Sequence, residues 1–126
     1  MISSENSPQL VAIVDDDRSV QSALKDLMES AGLSARSFGS AEEFLESDQL
    51  NQTACLITDI RMPGMSGLEL QAKLKSEGSR IPIIFITARP DAKMKMVAMK
   101  AGAVEFLSKP FDYEVLLGQV RMALRS

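Results

Sequence analysis

Apolar positions in this chain come in short continuous runs, separated by longer stretches in which they recur every three or four residues. A continuous run bounded by turn-forming residues reads as a strand buried on both faces, and the three-to-four spacing as an amphipathic helix. Residues 10–14, Leu-Val-Ala-Ile-Val, are the first such run, and residues 17–31 follow as a helix closed by Gly32. A weaker strand covers 33–38. Ser40 then caps a short helix, because its hydroxyl can accept from first-turn amides, and Glu43 three residues on suits a capping box. Residues 54–58 predict a third buried strand, 62–67 a Pro-Gly loop and 68–77 a helix. The isoleucine-rich segment 81–87 is the clearest strand. A helix over 91–101, a strand over 104–107 and a last helix over 113–124 complete the pattern.

Strands alternating with helices imply right-handed crossovers and a parallel sheet covered on both faces, the α/β class. The chain has 126 residues, no internal repeat and no low-complexity linker, so one domain is expected, with a core over about 9–125 and a frayed tail over 1–8.

Composition narrows the function. Hydrophobic residues at 45% and charged residues at 25% are an ordinary globular balance. The apolar runs are too short to span a bilayer, and the polar start lacks the basic and apolar segments of a signal peptide, which points to a cytoplasmic protein with no membrane contact. The 14 basic and 17 acidic residues give a net charge of −3, the wrong sign for a surface that neutralises DNA phosphates, so no nucleic acid contact is expected of these residues themselves. There is no histidine, which excludes Ser-His and Cys-His catalysis and leaves oxygen ligands for any metal. Cys55 is the only cysteine and reads as a small core residue.

In an open parallel sheet, ligands bind beyond the carboxyl ends of the strands. Past the first run stand Asp15, Asp16 and Asp17; the third ends at Asp59, the fourth at Thr87, and just past the fifth lies Lys109, followed by Pro110. Each has a local explanation as a solvated turn, a cap or a surface lysine. Their convergence on one sheet edge does not. Three close carboxylates repel one another and call for a cation, and an all-oxygen donor set selects a hard ion such as magnesium. Magnesium and Lys109 would roughly balance the three aspartates and absorb the charge added by phosphorylation of one of them. A carboxylate can itself be the nucleophile and form an acyl phosphate.

Four segments carry a specific resemblance: Val11-Ala-Ile-Val-Asp-Asp-Asp17, Leu56-Ile-Thr-Asp-Ile-Arg-Met-Pro-Gly-Met-Ser-Gly67, Ile83-Ile-Phe-Ile-Thr-Ala88 and Phe106-Leu-Ser-Lys-Pro-Phe111. In order and spacing they resemble the signature blocks of response-regulator receiver domains, the CheY-like family, from about residue 10 onward. Ala101-Gly-Ala-Val-Glu-Phe106 is most similar to the FixJ-type branch, whose receivers usually precede a helix-turn-helix DNA-binding output domain. The resemblance implies a flavodoxin-like (βα)5 fold with strand order 2-1-3-4-5. It implies Asp59 as acceptor of a phosphoryl group from a sensor histidine kinase, and a signalling switch with self-catalysed phosphotransfer and slow self-hydrolysis rather than a metabolic enzyme. Magnesium would be held by Asp16 directly, by Asp15 largely through water, by Asp59 and by the backbone carbonyl of Arg61. Thr87 would bond the phosphoryl group and Lys109 would pair with it. Thr87 and Phe106 would form the switch, and the Lys109–Pro110 bond would be cis. Asp17 reads instead as a cap for the first helix. Arg61 and Arg89, two residues beyond Asp59 and Thr87, are either solvated or shield the phosphoryl group.

Two rivals lack a feature each. An aspartyl-phosphate hydrolase usually carries a second aspartate two residues after the nucleophile, where this chain has Arg61. A flavodoxin-like cofactor binder needs a phosphate-cradling loop after the first strand, where three aspartates stand. The sequence stops soon after the last helix, consistent with a stand-alone regulator or with a receiver cut from a longer protein, and the FixJ-type resemblance favours the second. On the 91–101 helix, Met94, Val97, Ala98 and Ala101 share a stripe expected to face the sheet, leaving Met96 and Met99 beside Lys95 and Lys100, with the following strand, as a surface for phosphorylation-dependent homodimerisation or partner binding.

Overall fold

The structure, a computed structural model, describes residues 9–125; the expected frayed tail lies outside the described residues. The elements are β1 (Leu10–Val14), α1 (Arg18–Ser30), β2 (Ser34–Phe38), α2 (Ala41–Glu46), a 3₁₀ turn (Leu50–Gln52), β3 (Thr53–Asp59), α3 (Gly67–Ser76), β4 (Ile83–Thr87), α4 (Ala92–Lys100), β5 (Glu105–Ser108) and α5 (Tyr113–Arg125). The strands form one sheet of five in the order β2-β1-β3-β4-β5, every pair parallel. This is the expected flavodoxin-like order.

The alternation of strand side chains divides the core in two. Ala12, Val14, Leu56, Phe85 and Phe106 pack with Phe44, Leu70 and Ala98, against α2, α3 and α4. Val11, Ile13, Ile57, Ile84 and Ile86 face the other way, onto Leu24 and Met28 of α1 and Leu116 and Val120 of α5. Cys55 belongs to this second core, and burial pushes its thiol up to about 12. It is an inert apolar side chain, as its sequence context suggested.

Register aligns the strand ends. Val14 pairs with Thr58, Asp59 with Ile86, and Thr87 with Ser108, so Asp15, Asp59, Thr87 and Lys109 emerge side by side. Helix starts are capped by the side chains that follow these ends. Asp17 accepts from the amides of Ser19 and Val20, the capping role read from the sequence. Ser40 accepts from Glu43 N, but Glu43 reaches back to Gly39 N at 2.6 Å instead of to the cap amide. The full capping box belongs to Ser66 and Glu69 at α3, which the sequence reading did not single out.

Most element boundaries shift by one or two residues from expectation, and one side chain faces the other way. β4 begins at Ile83 because Pro82 has no amide to donate, although its carbonyl already accepts from Leu56 N at 2.9 Å. β5 runs one residue later than expected, through Ser108. Val97, expected to face the sheet, is 48% exposed. α4 flanks the edge strand and rests on α3 and β5 from one side only, so its buried stripe narrows to Met94, Ala98 and Ala101, and Val97 turns outward.

Candidate functional site

The site lies at the carboxyl edge of the sheet. Asp15 is fully buried; its Oδ1 accepts from Asp17 N at 2.9 Å and its Oδ2 from Lys109 Nζ at 3.0 Å. Asp59 is nearly buried; Oδ1 accepts from Ile60 N at 2.6 Å, and Oδ2 accepts from the same Lys109 ammonium at 3.2 Å. Asp16 is exposed at the rim. Carboxylate oxygens of Asp15, Asp16 and Asp59 nevertheless lie within 4.8 Å of one another. All donors are hard oxygens, the set that fits a partly hydrated magnesium ion.

The electrostatics follow from this crowding. Burial is the main reason the Asp15 carboxyl stands above its ordinary range; its bonds to the Asp17 amide and to Lys109 oppose that, and the charge of Asp59 adds to it. Burial alone would pull the Lys109 ammonium down, but its hydrogen bonds and charge interactions with Asp15 and Asp59 together outweigh it and leave it raised. Asp17 is held low by the Ser19 hydroxyl and by the Ser19 and Val20 amides, as a cap should be.

Thr87 is buried at the end of β4, and its Oγ1 accepts from Arg89 N at 3.2 Å. The Lys109 amide donates to the Thr87 carbonyl at 2.7 Å, fixing the start of the segment that carries the lysine, and the Lys109–Pro110 bond is cis. Phe106, two residues before the end of β5, is buried and packs against Phe85 with ring centroids 6.5 Å apart. Arg61 and Arg89 are both exposed at the mouth. Gly67 lies so close to the acceptor strand that any Cβ there would collide with the Asp59 carbonyl oxygen, which accounts for glycine at that position. Beside the edge, α1 and the segment after Lys109 enclose a groove of about 510 Å³ lined mainly by apolar groups, among them Val20, Ala23, Pro110 and Phe111.

Residues 11–121 match the model of the response regulator receiver domain. The chain belongs to that family. The receiver is 49% identical over 116 residues, 92% of its length and 51% of the relative's, to the response regulator protein TodT of Pseudomonas putida. It is 40% identical over 114 residues, 90% of its length and 54% of the relative's, to the transcriptional regulatory protein FixJ of Azorhizobium caulinodans. Among solved structures, the response regulator StyR superposes with a TM-score of 0.87 at 47% identity, covering 94% of this receiver and 60% of that chain. The receiver spans about half the length of the curated relatives it matches.

Three polar residues that brace the receiver were missed in the sequence. Gln21 Nε2 donates to the Asp15 carbonyl at 2.7 Å, fixing the peptide that joins the two adjacent aspartates. Gln71 is buried and donates to the Ala98 carbonyl at 3.0 Å, tying α3 to α4. Glu42 reaches from α2 to the loop after Asp59. The two glutamines carried a readable signal: Gln71 interrupts the inward stripe Gly67, Leu70, Leu74, and Gln21 begins the stripe of Leu24 and Met28, and a polar residue on a buried stripe needs a partner.

Proposed function

We propose that Asp59 accepts a phosphoryl group from the phosphohistidine of a sensor kinase. A carboxylate oxygen of Asp59 attacks phosphorus, the P–N bond breaks, and the imidazole leaves with its electron pair. Hydrolysis of the resulting acyl phosphate then returns the carboxylate and inorganic phosphate. The observation that carries this reading is the single Lys109 ammonium hydrogen-bonded to Oδ2 of both Asp15 and Asp59. It fixes the geometry of the acceptor before the reaction and sits where new phosphoryl oxygens would need a cation.

Asp15, Asp16, Asp59 and the Arg61 carbonyl are the groups that would hold magnesium, which when bound supplies charge neutralisation to the transferring group. Thr87 would donate its hydroxyl proton to a phosphoryl oxygen. Arg61 and Arg89, exposed at the mouth, would shield that group and slow its hydrolysis. The donor protein would seat on the apolar groove beside Lys109.

The signal would leave through α4 and β5. Ala98 is the only fully buried residue of α4, so a shift of this helix disturbs little packing. Thr87 moving toward the phosphoryl group, with Phe106 adjusting behind it, would favour a pre-existing alternative arrangement of that face. The FixJ-type resemblance supports control of transcription through an output domain outside this chain, in the cytoplasm. Among the described residues no helix is long and apolar enough to cross a membrane.

Incubation with acetyl phosphate and magnesium should add one phosphoryl group by intact mass, and Asp59→Asn should remove that addition. Equal labelling of the Asn variant would sink the assignment.

A further inference from the structure

We propose that Glu42 is a positioning residue for the metal and phosphoryl site, acting through the loop that follows the acceptor; this rests on the reading of Asp59 and its neighbours given above. The loop leaves β3 at Asp59 and enters α3 at Gly67. Its base is closed twice. Gly67 N donates to the Ile60 carbonyl at 2.8 Å, and Gly67 packs directly on the Asp59 carbonyl. Its tip is held by a different element: Glu42 Oε2 accepts from Met65 N at 2.9 Å across 23 positions of sequence.

The loop is shaped to receive that carboxylate. Gly64 has φ of +78°, a conformation that favours glycine, and a Cβ at this position would stand 2.7 Å from Glu42 Oε2. Glycine therefore serves both the turn and the close approach. Between the closed base at Ile60 and the tethered tip at Met65 lie only Arg61, Met62, Pro63 and Gly64, and Met62 is buried in the core beneath α2 and α3. The Arg61 carbonyl, one of the groups assigned to the metal, is thus constrained from both sides.

Glu42 does not touch the carboxylate cluster; its effect passes through backbone. Its own helix does not depend on the contact. α2 is seated by buried Ala41 and Phe44 and capped by Ser40, whereas Glu42 is exposed and in the first turn, where an acidic side chain suits the helix dipole. Removing the carboxylate should leave the fold intact and free the loop tip. A bond from an amide to a charged acceptor is stronger than a neutral one, and outer partners of metal ligands commonly set affinity.

The test compares the parent receiver with Glu42→Ala and Glu42→Gln, using magnesium titration calorimetry, hydrogen exchange at the Met65 amide and thermal unfolding. For Glu42→Ala the expected result is lost protection at Met65, cooperative unfolding with a midpoint lowered by no more than a few degrees, and magnesium affinity weaker by about threefold to tenfold. Glu42→Gln keeps an oxygen acceptor and should retain most of the protection and most of the affinity. Lost protection with unchanged magnesium affinity would overturn the positioning role, as would a Met65 amide that is unprotected in the parent. A parent that protects Met65 but binds no magnesium would overturn the reading of the site, and this role with it.

Discussion

Lys109 Nζ lies 3.2 Å from Oδ2 of Asp59, although 50 positions separate the two residues in sequence. The contact exists because β5 and β3 are two strands apart in a parallel sheet whose carboxyl ends are in register through β4. The same ammonium also holds the fully buried Asp15. One cation therefore answers two carboxylates that would otherwise face each other with little solvent between them.

Removing that cation should be costly in the absence of metal. Lys109→Ala leaves Asp15 buried without a counter-charge and should destabilise the receiver by about 1–3 kcal/mol in a chelating buffer. Saturating magnesium should recover a large part of the loss, since a divalent ion at the carboxylates replaces the missing charge. Denaturant unfolding with and without magnesium checks both. Equal midpoints for parent and variant in chelator would show that the ammonium contributes little to the resting fold.

Asp15 and Asp16 should part company when each is replaced by asparagine. Asp15 is buried with its carboxyl raised chiefly by that burial, so its ionised form costs stability at neutral pH. Asp15→Asn keeps one oxygen to accept from the Asp17 amide, leaves the Lys109 ammonium to Asp59 and removes the buried charge, and without metal it should raise the melting midpoint by several degrees, the size about 1 kcal/mol gives in a domain of this length. Asp16 is exposed, so Asp16→Asn should leave the midpoint nearly unchanged while weakening magnesium binding. Calorimetric unfolding and titration separate the two effects. A stabilised Asp16→Asn beside an unchanged Asp15→Asn would show that the strain sits at the rim instead.

What the sequence disclosed about this site follows from how each contact is built. Asp15, Asp59, Thr87 and Lys109 could be placed because each stands at the end of an apolar run, and a parallel sheet brings such ends together without any knowledge of side-chain packing. Asp17 was legible as a cap because capping is local. Glu42 was not, since its partner is a backbone amide of a distant loop and nothing in the Ala41–Glu46 pattern distinguishes it from another solvated acid. Val97 failed for a related reason: helical periodicity defines a stripe, but how much of the stripe is covered depends on the helix's neighbours, and beside an edge strand there are fewer of them.

The exposure of Val97 enlarges the surface through which this receiver would act. Met96 is 58% exposed, Val97 48% and Met99 38%, so three adaptable or branched apolar side chains share the outer side of a nine-residue helix that also carries exposed Lys93, Lys95 and Lys100. An apolar cluster rimmed by charge suits reversible association. A stable phosphoryl mimic should therefore shift the chain from monomer to dimer, by population of an arrangement of α4 and β5 that the resting chain visits only rarely. Sedimentation velocity with and without beryllofluoride measures that shift. Val97→Asp and Met99→Asp remove apolar surface that is already in solvent, so both should fold with midpoints close to the parent and still take up the mimic at Asp59. Both should also remain monomeric when loaded. A parent that stays monomeric with beryllofluoride bound would rule out self-association as the output, and dimers insensitive to both substitutions would place the interface on another face.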